Sequence, residues 1–247
     1  MEKTNNFPKK AVILAGGKGT RLYPVTKEIP KPLLPINRKP IINYLVDLFK
    51  EQGIKDIAVL INKEFQEDFN WWQKRYYSSE QVPKIKLVEE EEPLGTFGGL
   101  FFLKEWLSNE PFFLTNGDEL KKIDLLKMNE FHQEIKAPAT IALVKVSDPQ
   151  HYGVVVCKDG RVEKFLEKPK NFPSNYISSG LYLLSPEIFN YLPRGKTGHS
   201  GPKFLMIEND IFPKLASQGK LGGFEFKGSW MDCGTWERYE KALLDWE

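Results

Sequence analysis

The sequence predicts a mixed α/β fold: a mainly parallel sheet flanked by helices, with extra antiparallel strands in its second half. Three observations carry this. Ala11-Val12-Ile13-Leu14-Ala15 is a short continuous apolar run, the pattern of a strand buried on both faces of a parallel sheet. Through the first half, strand-like and helix-like periods alternate at βαβ spacing. After Pro138 strand-like runs follow one another with little helix between them.

Each element has its own signal. Pro40 suits a first helical position, Ile41, Ile42, Tyr44, Leu45, Leu48 and Phe49 recur at helical spacing, and Gly53 ends the helix. Asp56 to Ile61 reads as a second strand, and Phe65 to Tyr77 as a helix rich in aromatic residues. Ile85 to Val88 is a third strand, Gly95 to Leu107 a helix, and Pro111 to Thr115 a fourth strand running into Asn116-Gly117-Asp118. Thr140–Val146, Gly153–Val156, Val162–Leu166 and Ile177–Leu184 read as later strands. Asp159-Gly160 is the signature of a tight hairpin. Met206 to Gln218 and Thr235 to Trp246 read as helices. With no repeat, linker or low-complexity tract, residues 1–247 read as one domain.

Composition excludes several classes. With 35 Lys+Arg against 33 Asp+Glu, the net charge of +2 lacks the basic excess of a nucleic-acid binder. Cys157 and Cys233 are too few for a disulfide scaffold and form no CxxC. The N-terminus lacks the apolar stretch of a signal peptide, and no run approaches the roughly 20 apolar residues of a membrane helix. A cytoplasmic protein without a membrane partner is expected.

The chemistry-bearing residues begin at Gly16-Gly17-Lys18-Gly19-Thr20-Arg21, directly after the first strand. Glycines let the backbone approach a ligand, and successive N–H groups can cradle phosphates. The segment is no Walker A loop, since Gly19 follows Lys18, and no dinucleotide fingerprint, since Leu22 replaces the third glycine. Alone it could be a ligand-free turn, the lesser of the two readings. Pro30-Lys31-Pro32 follows, and the prolines hold one lysine on a stiff support. Arg21 and Lys31 together suit a triphosphate.

Asp118 lies just past a buried strand, at the edge where open α/β sheets bind ligands. Asp232 offers a second carboxylate before the last helix. Either alone reads as a turn or capping residue; with phosphate-binding cations nearby, the pair reads as a Mg²⁺ site. Glu167-Lys168-Pro169 ends a strand, and also reads as an exposed ion pair. His132, His151 and His199 lack zinc-ligand spacing. The aromatic stripe from Phe69 to Tyr77 reads as core or a subunit contact, compatible with a homo-oligomer.

From about Lys10 to the last helix the chain resembles the sugar-1-phosphate nucleotidylyltransferases. LAGGKGTRLYPVTKEIPKPLLPI (Leu14 to Ile36) matches the family signature, and EEPLGTFGG, NGD, YGVVV, EKP and WMDCGT follow in the family's order. The resemblance implies a Rossmann-like mixed sheet and the reaction of an NTP with a sugar 1-phosphate to an NDP-sugar and pyrophosphate. It implies that Arg21, Lys31 and Asp118 act in catalysis, and that Asp118 and Asp232 hold Mg²⁺. Leu14, Ala15, Gly16, Gly17, Gly19, Thr20, Glu90, Pro93, Gly95 and Thr96 would bind nucleotide with them. Gly117, Gly153, Glu167, Lys168, Ser178 and Gly180 would meet the sugar phosphate.

The base is read from Glu89-Glu90-Glu91-Glu92, most of which suits a solvated acidic run. One carboxylate can accept guanine's adjacent N1–H and N2–H, whereas uracil and thymine suit an amide better. Glu90 is therefore expected to favour GTP. The texture most resembles mannose-1-phosphate guanylyltransferases, with departures: Ala15 stands where these often have Val, and the family's INAG reads Ile177-Ser178-Ser179-Gly180. Heptose 1-phosphate with GTP, or glucose 1-phosphate with dTTP or UTP, are the alternatives. A non-catalytic regulatory homologue is a remoter one, disfavoured because Arg21, Lys31, Asp118 and Asp232 are all present. The C-terminal hexapeptide β-helix of many relatives is absent from the sequence, so no appended acetyltransferase is expected.

Overall fold

The computed structural model describes residues 7–77, 82–193 and 203–247. Its strands are β1 Lys10–Ala15, β2 Pro35–Ile36, β3 Lys39–Pro40, β4 Asp56–Asn62, β5 Lys84–Glu90, β6 Phe112–Asn116 and β7 Glu119–Lys121. They continue with β8 Ala139–Lys145, β9 Gly153–Lys158, β10 Arg161–Glu167, β11 Tyr176–Leu184, β12 Leu221–Glu225 and β13 Trp230–Asp232. The α-helices are α1 Ile41–Glu51, α2 Gln66–Tyr76, α3 Gly95–Gly98, α4 Leu125–Ile135, α5 Phe212–Ser217 and α6 Trp236–Asp245. The mixed α/β class expected from the sequence is what the chain adopts.

The chain divides into two compact units. One comprises Lys10–Pro93, Thr115–Ile123 and Gly228–Glu247, called here the glycine-loop unit. In it β1, β4 and β5 run parallel, with Lys10 opposite Asp56 and Asn62 opposite Glu90. Val12, Ile13, Ala58 and Val59 are fully buried, as a strand covered on both faces requires. Helix α1 inserts Ile41, Ile42, Leu45, Val46 and Phe49. Burying each such side chain contributes about 1.5–3 kcal/mol. A further cluster of Leu22, Leu34, Ile36, Ile41, Leu120, Cys233, Ala242 and Trp246 ties the segment after the glycine loop to the antiparallel β7–β13 ladder and to α6.

The other, the hairpin unit, comprises residues 7–9, Leu94–Leu114 and Asp124–Lys227. Strand β8 pairs antiparallel with β11 and parallel with β12, and β10 pairs antiparallel with β9 and β12. The β9–β10 turn has Asp159 at φ 49° and Gly160 at φ 75°, the positive angles of the expected tight hairpin.

Several expectations need correction. Pro40 is the residue before α1, not its first. The helix expected over Gly95–Leu107 is the short α3 followed by 3₁₀ turns to Leu103, and that expected over Met206–Gln218 begins as a π-turn at Ile207–Ile211. Gly98 and Gly99 weaken the first, and Pro213 forces the second to restart. Helix α4 and strands β2, β3, β7, β12 and β13 were not foreseen. Within the aromatic stripe Phe69 and Trp72 are core, while Trp71 is exposed. Among the described residues no helix is long and apolar enough to cross a membrane.

Candidate active site

In the glycine-loop unit, β1 delivers Leu14 and Ala15 to the start of the loop, and Gly19 turns it at φ 63°. Arg21 follows on a 3₁₀ turn, exposed. A third 3₁₀ turn, Lys31–Leu33, follows the one at Val25–Lys27 and carries Lys31 between its prolines. The Gly117 N–H donates to Leu14 O at 2.9 Å, which fixes the Asn116–Asp118 turn against the end of β1. Lys31 Nζ then donates to Asp118 Oδ2. Burial works against the Lys31 ammonium, but the Asp118 charge and hydrogen bond outweigh it and raise its pKa above the ordinary lysine value. Burial would lift the Asp118 carboxyl, yet Lys31 holds it below the usual range.

Asp232 enters from β13. Opposite Asp232 in the ladder stands Glu119, and the Cys233 N–H donates to Asp118 O at 3.1 Å, so the two carboxylates are neighbours. Asp232 Oδ1 accepts from the Gly234 N–H at 2.6 Å and Oδ2 from Arg238 Nη1 at 2.6 Å. A Cβ built on Gly234 would lie 3.2 Å from Arg21 Nη2, which brings Arg21 to the same place. Behind them Glu119 and Lys121 form a buried pair at 3.2 Å. Glu119 also accepts from Asn116 and Trp230, and Lys121 donates to Thr115. Such a network holds the two carboxylate-bearing turns in register.

Glu90 ends β5, and strand alternation separates it from its neighbours. Glu89 and Glu91 pair outward with Gln66 and Lys63, each at 2.5 Å, while Glu90 is 5% exposed. Its Oε1 has no hydrogen-bond partner among the described residues, and Oε2 would be 2.5 Å from a Cβ at Gly16. Burial pushes its pKa up to about 7. Pro93 borders a cleft of about 400 Å³ with Lys18, Asn62, Lys63 and Glu64.

In the hairpin unit, Gly153 opens β9 directly opposite Glu167, and Ile177 pairs with Val154, which puts Ser178 beside them. Lys168 pairs with Glu167 at 3.1 Å and sits at φ 46°, unusual for a residue with a side chain. Its N–H donates to Tyr152 O at 3.0 Å. Ser178 Oγ donates to Tyr182 OH at 3.3 Å and accepts from the Gly180 N–H at 3.3 Å, in a stretch where the β8–β11 register shifts. Gly95, at φ 75°, would place a Cβ 2.4 Å from Leu205 O, so only glycine fits there. Thr96 hydrogen-bonds to the buried Glu208.

The expected residues thus form two groups. Leu14 to Arg21, Lys31, Glu90, Pro93, Gly117, Asp118 and Asp232 belong to the glycine-loop unit; Gly95, Thr96, Gly153, Glu167, Lys168, Ser178 and Gly180 belong to the hairpin unit. Sequence reasoning missed Arg238, Glu208, Tyr182 and the Glu119–Lys121 pair. Among the described residues no cluster of three or more His, Cys, Asp or Glu side chains could hold a metal by itself. Two adjacent carboxylates are nevertheless the donor set Mg²⁺ uses when substrate phosphates and water complete its shell. Asp118 and Asp232 fit that group.

A glycine loop closes a parallel strand of this α/β protein, with two cations and two carboxylates gathered beside it. The chain belongs to the nucleotidyl transferase family, which matches residues 10–247. It is 38% identical over 239 residues to mannose-1-phosphate guanylyltransferase 1 of Arabidopsis thaliana, which covers 95% of this chain and 63% of that protein. The chain therefore spans less than two thirds of that relative's length. The structure of HddC from Yersinia pseudotuberculosis complexed with GMP-PN is similar, with TM-score 0.78 and 29% identity, covering 97% of this chain and all of that one. A UDP-glucose pyrophosphorylase complexed with UDP-glucose gives TM-score 0.80 and 26% identity, covering 96% of this chain and 97% of that one.

Proposed function

We propose that residues 1–247 act as one catalytic module that transfers a guanylyl group from GTP to mannose 1-phosphate, giving GDP-mannose and pyrophosphate. The observation that carries this is the gathering of Arg21, Lys31, Asp118 and Asp232 beside the glycine loop. The resemblance to guanylyltransferases supports the choice of substrates. A phosphate oxygen of the sugar 1-phosphate attacks the α-phosphorus in line, the α–β phosphoanhydride bond breaks, and pyrophosphate leaves. Such a reaction needs positioning and charge neutralisation more than covalent catalysis. Arg21 and Lys31 meet the charge developing on the leaving group. Asp118 and Asp232 would hold Mg²⁺, which would supply Lewis-acid neutralisation of the phosphates. In the glycine-loop unit Leu14 to Thr20 and Pro93 would meet the nucleotide and Gly117 the sugar phosphate; in the hairpin unit Gly95 and Thr96 would meet the nucleotide, and Gly153, Glu167, Lys168, Ser178 and Gly180 the sugar phosphate. A cytoplasmic location belongs to the same reading.

Glu90 supports guanine. A buried carboxylate with an unpartnered oxygen beside the loop suits two adjacent N–H donors. The shorter Ser178 favours one second reading, in which a heptose 1-phosphate replaces the mannose compound.

Pyrophosphate release with Mg²⁺ tests both readings, across GTP, dTTP, UTP, CTP and ATP, each with mannose, glucose and heptose 1-phosphates. Release confined to GTP is expected, with mannose 1-phosphate preferred. Release with dTTP or UTP and glucose 1-phosphate overturns the guanine assignment. No release from any pair, with nucleotide binding intact, makes the chain a regulatory homologue.

A further inference from the structure

Arg238 stands at the third position of α6, whose first turn is capped by the Thr235 hydroxyl accepting from the Arg238 N–H at 3.4 Å. A cation there opposes the helix dipole, which favours anions at the N-terminus. Its guanidinium instead turns back to Asp232 Oδ2 at 2.6 Å, in a pair whose side chains are 21% and 11% exposed. Asp118 is treated likewise by Lys31. Each carboxylate that the proposed reaction assigns to the metal thus already carries its own cation.

We propose that Arg238 is a positioning residue that guards Asp232, so that the divalent cation enters with the nucleotide and not alone. The inference rests on the function proposed above. A bare dication must displace Arg238 and Lys31 while offering them nothing in return. A dication carried on a triphosphate brings anionic oxygens to which the released cations turn. The same pairing holds the Asp232 carboxylate in one orientation between Arg238 and the Gly234 N–H.

The test is titration of the full chain with Mn²⁺, free ion being counted by electron paramagnetic resonance, with and without a non-hydrolysable GTP analogue. Wild-type protein is expected to bind Mn²⁺ weakly alone and at least tenfold more tightly with the analogue. Arg238→Met should tighten binding of free Mn²⁺ on the order of tenfold, since a unit charge beside the site is removed. Arg238→Lys should restore the wild-type affinity. A merely structural arginine would weaken metal binding when removed, not strengthen it. Equal Mn²⁺ affinity of wild type and Arg238→Met overturns the guard even in an active enzyme. So does micromolar binding of free Mn²⁺ by the wild type, a measurement that needs no variant to fold. The titration reads no turnover, so failure of the proposed reaction would appear separately, in the pyrophosphate assay.

Discussion

Thr96 and Glu208 are 112 positions apart in sequence, yet the Thr96 hydroxyl donates to Glu208 Oε2 at 2.5 Å while accepting the Ile207 N–H at 2.9 Å. Glu208 Oε1 accepts from Tyr182 OH at 3.2 Å. One buried carboxylate thereby joins the residue expected at the nucleotide to the strand expected at the sugar. Glu208→Ala strands two hydroxyls and should cost about 1–3 kcal/mol. Glu208→Gln, which keeps an oxygen and a similar volume, should cost less. Urea unfolding of the two variants checks the order.

Glu90 makes stability depend on pH. Its carboxyl titrates near 7 in the fold against an ordinary value of 4.5, because burial disfavours the charge. The folded state holds that proton more tightly than the unfolded one. The stabilisation is full below about pH 4.5 and is lost as pH rises through about 7. Glu90→Gln should remove this slope, measured by urea unfolding at pH 5 and pH 8. The same variant should shift relative kcat/KM from GTP towards UTP or dTTP; unchanged ratios would sink the guanine assignment.

Lys31 and Asp118 should behave as one device. Lys31→Met is expected to lower kcat/KM on the order of a hundredfold or more, as removal of a preorganised charge does. Combining it with Asp118→Asn should cost less stability than the two single changes added together, by about 0.5–3 kcal/mol. A double-mutant cycle in urea measures the difference.

Two glycines separate packing from ligand approach. Gly95→Ala drives a Cβ to 2.4 Å from Leu205 O at a positive φ, and should destabilise by about 2 kcal/mol or more. Around Gly17 a Cβ meets nothing within 4 Å. Gly17→Ala should leave the melting temperature within about 2 °C of wild type, since it touches no neighbour. If the proposed nucleotide contact holds, the variant should raise KM for GTP. Calorimetric melting with initial-rate kinetics reads both.

The parallel strands were legible because β1 is an unbroken apolar run, and α1 because its apolar period is clean. Helix α4 was not, because its buried face includes Asn129 and His132, polar residues that dilute the period. His132 is held there by Thr140 and Ser185, and burial lowers its pKa to about 4. Strand β12 hid behind Gly222-Gly223, a pair that reads as a turn, though both residues pair with β8. Among the candidate site residues, those next to glycine or proline announced themselves. Arg238 and Glu208 did not, because each looks like an ordinary helical charge until the fold brings a distant partner to it.

The two units are interleaved along the sequence, and this governs how the chain is born. A ribosome releases Leu22, Leu34, Ile36 and Ile41 early, but their cluster also needs Ala242 and Trp246. At about 5–20 residues per second, those side chains wait on the order of ten seconds or more for their partners. Through that interval the nascent chain shows chaperones an unfinished apolar surface, and Asp118 emerges long before Asp232. Neither unit can be excised as one continuous stretch, so a split version of this protein would have to be cut inside a unit and reassembled.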